Sequence, residues 1–329
     1  MPKYHVYGIG NALVDMEYEV EPEDLEKLRI DKGVMTLVDE AHQIEIMAHL
    51  AERHHVKGSG GSAANSVIAV SQLGGKGFYS CKVANDALGH FYLDDLVANG
   101  VGTNRHGERE DGHTGRCVVL VTPDTDRTMV TFLGVSGGLS TAELVTDAIA
   151  DSDYFYMEGY LVTSDSARTA VTTGRQIARG AGVKTAISLS DPNMVAHFKT
   201  GLLEMIGNGV DLLFANEAEA KGMAGSDGLD GALAYLKTIA KEFAITRGPK
   251  GALVWDGSRM IEIDAVKVQA VDTVGAGDMF AGAFLYGLTH RWGHERAGAL
   301  ASAAAAKLVT SLGPRIPAAE TQKVMRGFL

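Results

Sequence analysis

Val271-Asp272-Thr273-Val274-Gly275-Ala276-Gly277-Asp278-Met279-Phe280 is a run of small residues leading into an apolar helix. Gly275 and Gly277 permit positive φ, and no side chain covers the backbone there. The first N–H groups of such a helix lack intrahelical partners and carry the positive end of its dipole, so together they make a site for an anion. A carboxylate would repel a resting phosphate, but Asp278 can take the proton from a hydroxyl that attacks one. Taken alone, the pattern also suits an N-terminal Asp that caps a helix after a glycine turn.

Four other segments carry polar or bare-backbone positions near strand ends. Gly8-Ile9-Gly10-Asn11-Ala12-Leu13-Val14-Asp15 leaves a strand, where α/β proteins bind ligands, and the Asp15 carboxylate can accept two hydrogen bonds from a vicinal diol. In Gly58-Ser59-Gly60-Gly61-Ser62-Ala63-Ala64-Asn65, bare backbone at Gly60 and Gly61 would admit a polyhydroxyl ligand to the Asn65 amide. The segment also matches GxGxxA, but polar residues 51–57 precede it instead of a buried strand, which argues against dinucleotide binding. Asn216-Glu217-Ala218-Glu219 places Asn216 and Glu219 on one face of a helical turn, suited to hydrated Mg²⁺ beside phosphates or to a capping box. In Thr246-Arg247-Gly248-Pro249-Lys250-Gly251, the glycines would let a nucleotide lie flat on the turn.

The elements that must position these groups follow from hydrophobic periodicity. Strands are predicted at Tyr4–Ile9, Phe78–Val83, Tyr154–Met157, Lys184–Leu189, Leu212–Ala215 and Phe243–Thr246, then at the pair Ala252–Asp256 and Met260–Ile263. Helices fall between most of them, which implies a mostly parallel sheet covered on both faces. Arg116–Thr122 and Thr128–Gly134 read as a hairpin instead. The expected domains are a large unit of residues 1–13, 39–104 and 136–329, and a small β-sheet of residues 14–38 and 105–135.

Glycine is abundant, at 40 of 329 residues, and several glycines cluster in these loops rather than repeating with period three. The net charge of −11, without a run of basic residues, argues against nucleic acid and anionic membranes as partners. Cys81 and Cys117 imply neither a disulfide framework nor zinc. No stretch of about 18 apolar residues occurs, and the first residues lack a signal-peptide pattern, so a cytoplasmic location is expected. His49, His54 and His55, like Asp124 and Asp126, read as solvated groups. His290 and His294 have helical spacing but no Glu follows His290, which argues against zinc. No Gly-Lys is followed by Ser or Thr, so a Walker A loop is excluded.

In this order, the five segments resemble the ribokinase/PfkB family of ATP-dependent carbohydrate and nucleoside kinases, and within it the adenosine kinase branch, whose GNxLxD and GGSxxNS segments match residues 10–15 and 60–66. The resemblance implies a three-layer αβα ribokinase-like fold with a small β-sheet lid. It makes Asp278 the catalytic base and assigns the anion hole to the N–H groups of Gly275, Ala276 and Gly277. It gives Asn216, Glu219, Thr246, Gly248 and Gly251 to ATP, with Glu219 reaching Mg²⁺ through water. Asp15, Gly61 and Asn65 fall to the acceptor's ribose, with Asn11 and Gly60 as further candidates for the acceptor, Tyr160 to its base, and Arg127 to a lid contact with the phosphates. Many sugar kinases of the family carry Lys where this chain has Ser62. The expected acceptor is adenosine, with another nucleoside (inosine, guanosine or cytidine) or a sugar such as fructose or ribose as the alternative. A K⁺ ion near Asp272 and Gly313-Pro314-Arg315 is expected by family analogy only, and the chain is expected to be a monomer or homodimer.

Overall fold

Two sheets organise the chain in the computed structural model, which describes residues 2–33, 35–104, 109–124 and 127–329. In chain order the strands are β1 (Tyr4–Ile9), β2 (Leu13–Glu19), β3 (Met35–Leu37), β4 (His55–Gly60), β5 (Gly77–Ser80), β6 (Gly102–Thr103) and β7 (Gly115–Val121). They continue with β8 (Arg127–Phe132), β9 (Ser152–Glu158), β10 (Lys184–Ser188), β11 (Val210–Asn216), β12 (Ala240–Thr246), β13 (Ala252–Trp255) and β14 (Met260–Ile263). The large sheet has the order β14-β13-β12-β11-β10-β9-β1-β5-β6, and the small one β3-β8-β7-β2-β4. From β6 across to β12 in the large sheet neighbouring strands pair in parallel, and β13 alone runs against them, antiparallel to both β12 and β14.

Burial patterns explain the division. Strands β9 and β11 are almost continuously buried, as strands covered on both faces must be. In β2, every second residue is buried, as expected for a sheet with one covered face. Successive residues of the large sheet feed two separate cores. Tyr154, Tyr156, Leu212 and Ala244 pack with the helices Ser62–Gln72, Ala276–Thr289 and His294–Leu308. Phe155, Met157, Leu213 and Ile245 pack on the other face with the helices Asp165–Gly180, Pro192–Ile206 and Leu229–Ile239. The architecture is therefore three-layer αβα with a second, small β-sheet, the arrangement the resemblance implies.

The expected strands and helices of the large sheet occur within a few residues of their predicted ends, and β7 pairs antiparallel with β8 as a hairpin. The polar segment before Gly58 differs from expectation. Residues 55–60 form β4, paired antiparallel with β2 from Leu13↔Gly60 to Tyr18↔His55. This segment therefore belongs to the small sheet, although the expected boundary put 39–104 in the large unit. An edge strand with a solvated face needs no apolar run, so periodicity does not reveal it.

Two of the histidines weighed as metal ligands have other partners. His49 pairs with Asp24 at 2.8 Å, and His290 Nδ1 meets the Tyr286 carbonyl at 2.8 Å. Among the described residues, no three His, Cys, Asp or Glu side chains converge on a metal position. Asp126, the hairpin tip at 125–126, residues 105–108 and Val34 of the expected lid, and the His55 side chain lie outside the described residues.

Candidate active site

Asp278 sits in the first turn of the helix Ala276–Thr289, whose N-cap is Gly275 at φ 77°. A Cβ on Gly275 would lie 2.3 Å from the Pro314 carbonyl oxygen, so glycine is required both for the conformation and for the close approach. Gly277 takes ordinary helical backbone instead. Nothing lies within 4 Å of where its Cβ would be, so it contributes an open surface. Ala276 N–H, expected in the anion hole, closes the turn on Thr273 O at 3.2 Å. Asp272 fastens the start of the loop, accepting from Val274 N–H at 3.0 Å and Gly313 N–H at 2.8 Å. Gly275→Ala is expected to displace this loop and cost ~1–3 kcal/mol of stability, checked by thermal unfolding. An unchanged Tm would show that the loop gives way freely.

Both oxygens of Asp278 are held from the start of the helix Ser62–Gln72. Ser62 Oγ donates to Oδ1 at 2.6 Å, and Asn65 Nδ2 donates to Oδ2 at 3.0 Å. Desolvation in the recess pushes the Asp278 carboxyl above its ordinary value, and these two hydrogen bonds pull it back. The Asn65 carbonyl oxygen is buried without a partner among the described residues. At Gly60 and Gly61, expected to leave bare backbone for a ligand, the missing side chains also admit groups of the chain itself. A Cβ on Gly60 would meet the Asp15 carboxylate at 2.2 Å, and one on Gly61 would meet Asn11 O at 2.4 Å. These glycines let Asp15 and Asn11 close in on the strand end.

Glu158, at the end of β9, was not among the residues singled out from sequence. It is buried, and accepts from Asn11 N–H at 3.2 Å, Asn11 Nδ2 at 3.1 Å and Ala63 N–H at 2.9 Å. It therefore pins the loop after β1 to the helix that holds Asp278. The only signal available was an acidic residue directly after an apolar strand and before Gly159. Burial pushes Glu158 up to about 7 against these hydrogen bonds. Asp15 is likewise pushed up to about 7, by desolvation first, with Arg315 drawing it down and Asp278 adding to the rise.

At the ends of β11 and β12 lie Asn216, Glu219 and Thr246. The capping box is present: Glu219 accepts from Asn216 N–H at 3.0 Å and Nδ2 at 2.6 Å, while Glu219 N–H donates to Asn216 Oδ1 at 2.8 Å. Glu219 nonetheless faces the cavity, and desolvation, reinforced by Asp191 and Asp278, pushes it up to about 7. Of the glycines of the expected ATP-binding turn, Gly248 is exposed and Gly251 is buried against Ile263 O, and neither lines the cavity.

The cavity between the sheets has a volume of about 970 Å³ and is walled by Asn11, Asp15, Gly61, Asn65, Glu158, Tyr160, Asn216, Glu219, Thr246, Gly275, Gly277 and Asp278. It lies at the carboxyl ends of the parallel strands, where open α/β sheets bind ligands. Arg127, at the start of β8, bonds both Glu17 of β2 and Asp272 of the large unit. Its guanidinium thus links the small sheet to the loop that begins the Asp278 helix. The carboxylate of Asp272, near which a K⁺ ion was expected, is thus paired with this guanidinium. No helix among the described residues is long and apolar enough to cross a membrane.

Comparison with known proteins agrees with this architecture. The model of the pfkB family carbohydrate kinases matches residues 30–322. A probable sugar kinase protein from Rhizobium etli superposes with a TM-score of 0.91, at 32% identity over 100% of both chains. The adenosine kinase from Sinorhizobium meliloti superposes with a TM-score of 0.89, at 35% identity over 99% of both chains. Probable fructokinase-4 from Arabidopsis thaliana is 28% identical over 240 residues, 70% of this chain and 73% of that protein. The chain belongs to the pfkB family of carbohydrate kinases. It is a kinase whose acceptor is an alcohol group.

Proposed function

We propose that the chain transfers the γ-phosphoryl group of ATP to the 5′-hydroxyl of adenosine, with Asp278 as general base. The observation that carries this reading is the Asp278 carboxylate, oriented at a helix N-terminus inside a cavity with room for an acceptor and a nucleotide. The 35% identity to the Sinorhizobium meliloti adenosine kinase favours a nucleoside over a sugar.

Asp15 and Asn65 bind the ribose hydroxyls, Asn11 and Gly61 shape that wall, and Tyr160 lies beside the base. The N–H groups of Gly275 and Gly277 face the γ-phosphate. Thr246 lies on the nucleotide side, and Arg127 exchanges a carboxylate partner for phosphate as the lid closes. Asp278 takes the acceptor proton while the hydroxyl oxygen attacks phosphorus in line, and the enclosure keeps water from competing. Magnesium fits the acidic nucleotide side. Buried Glu219 faces the cavity beside Asn216, and Mg²⁺ takes few protein ligands and keeps several waters. When bound, the metal neutralises phosphate charge.

The fructokinase and sugar kinase relatives support a sugar acceptor as the second reading. A coupled ADP-release assay with adenosine, inosine, guanosine, cytidine, fructose and ribose separates the two. Adenosine is expected to give the highest kcat/KM. A higher value for fructose or ribose would overturn the adenosine assignment and leave the phosphotransferase reading standing.

A further inference from the structure

Asp278 can act as a base only if one oxygen is presented to the acceptor while the carboxylate is kept from rotating. Ser62 and Asn65, three residues apart on one helical face, divide that task unequally. Ser62 is half-buried and spends its hydroxyl on Oδ1 at 2.6 Å, the length of a charge-assisted O–H···O⁻ bond. Asn65 donates to Oδ2 over 3.0 Å, and its own carbonyl oxygen is buried with no partner among the described residues. A hydroxyl-bearing acceptor offers Asn65 the donor it lacks. The amide, whose carbonyl oxygen gains a partner when the acceptor arrives, is therefore the donor that gives way.

We infer that Ser62 is a positioning residue for the base: it keeps Oδ1 throughout the reaction, while Asn65 releases Oδ2 to the acceptor hydroxyl. The inference rests on the phosphotransfer reading. Oδ2 then receives the proton as the acceptor O–H bond breaks. The oxygen's electron pair forms the new bond to the γ-phosphorus, and the old P–O bonding pair leaves with ADP. Asp278 returns the proton to solvent after the products depart. A serine hydroxyl suits this role because it orients the carboxylate without adding a charge that would compete for it.

The test compares Ser62→Ala and Ser62→Thr with the wild type. It measures pH-dependent kinetics with ATP and the best acceptor of the panel, and a ¹³C NMR titration of the Asp278 carboxyl, assigned through Asp278→Asn. In Ser62→Ala, kcat is expected to fall about tenfold or more while the acceptor KM changes less than about threefold. The acid limb of kcat should move up by about one pH unit, and the carboxyl resonance should titrate correspondingly higher. Ser62→Thr, which keeps a hydroxyl, should restore most of the turnover and the titration. Wild-type kcat and pH profile in Ser62→Ala, or a loss confined to KM, overturns the inference and leaves the kinase reading intact. If no acceptor is phosphorylated, that reading fails, and the titration still decides. An unchanged Asp278 midpoint in Ser62→Ala overturns the positioning role, and a raised one supports it.

Discussion

Asp278→Asn lowers kcat by ~10²–10⁴-fold, the range set by loss of a positioned general base, while the fold stays intact. The substitution preserves size and leaves a carbonyl oxygen to accept from Ser62, so the Asp278 helix should keep its place. What disappears is the acceptor for the hydroxyl proton, and with it the means of making the attacking oxygen nucleophilic as the bond to phosphorus forms. The affinity for ATP and for the acceptor should change little. Pre-steady-state turnover and equilibrium binding check the two halves of this claim. A loss of less than about tenfold would sink the base assignment. The sign of the pH dependence follows from the recess. Desolvation raises the Asp278 carboxyl, and the base works only when ionised. The free enzyme should therefore lose activity as pH falls, with the acid limb above the ordinary carboxylate range, and Asp278→Asn should abolish that limb.

Arg127→Ala is expected to reduce kcat by ~10²-fold or more, the scale for removing a preorganised charge from a developing anion. Acceptor binding should change by less than about threefold. The argument lies in what Arg127 spans. Its side chain is 10% exposed and the Asp272 side chain 5%, so this ion pair is largely shielded from water. Asp272 in turn holds the loop through the N–H groups of Val274 and Gly313. Removing the guanidinium leaves a buried carboxylate with one fewer partner and releases the small sheet from that loop. Stability should drop by about 1–3 kcal/mol as well. Isothermal titration of the acceptor alongside steady-state kinetics separates the effects. If only acceptor affinity changed, with kcat preserved, Arg127 would belong to the acceptor wall and not to phosphoryl transfer.

Legibility in the sequence varied with the range of the interaction. The start of the Asp278 helix was readable because its cause is local: a small-residue loop with two glycines and an apolar helical stripe within fourteen positions. The large sheet was readable because strands buried on both faces are near-continuous apolar runs alternating with helical periodicity. Strand β4 was not, since an edge strand with one wet face resembles a polar loop. Gly60 and Gly61 were recognised as close-approach positions, but what approaches them is Asp15 and Asn11 from the same chain. Gly248 and Gly251 followed the turn pattern, yet lie off the cavity wall.

By itself, the sequence determined the architecture class, the strand-end loops and the chemical types of the groups they carry, because each follows from residues within a turn or two of one another. Tertiary structure alone decided how those groups are tuned and held. Ser62 and Asp278 are 216 positions apart, Asn11 and Glu158 are 147, and Arg127 and Asp272 are 145. Four carboxyls, on Asp15, Glu158, Glu219 and Asp278, are all raised because separate segments of chain exclude water from one cavity. Desolvation and hydrogen-bond partnership depend on what lies across a space, and no local pattern records that.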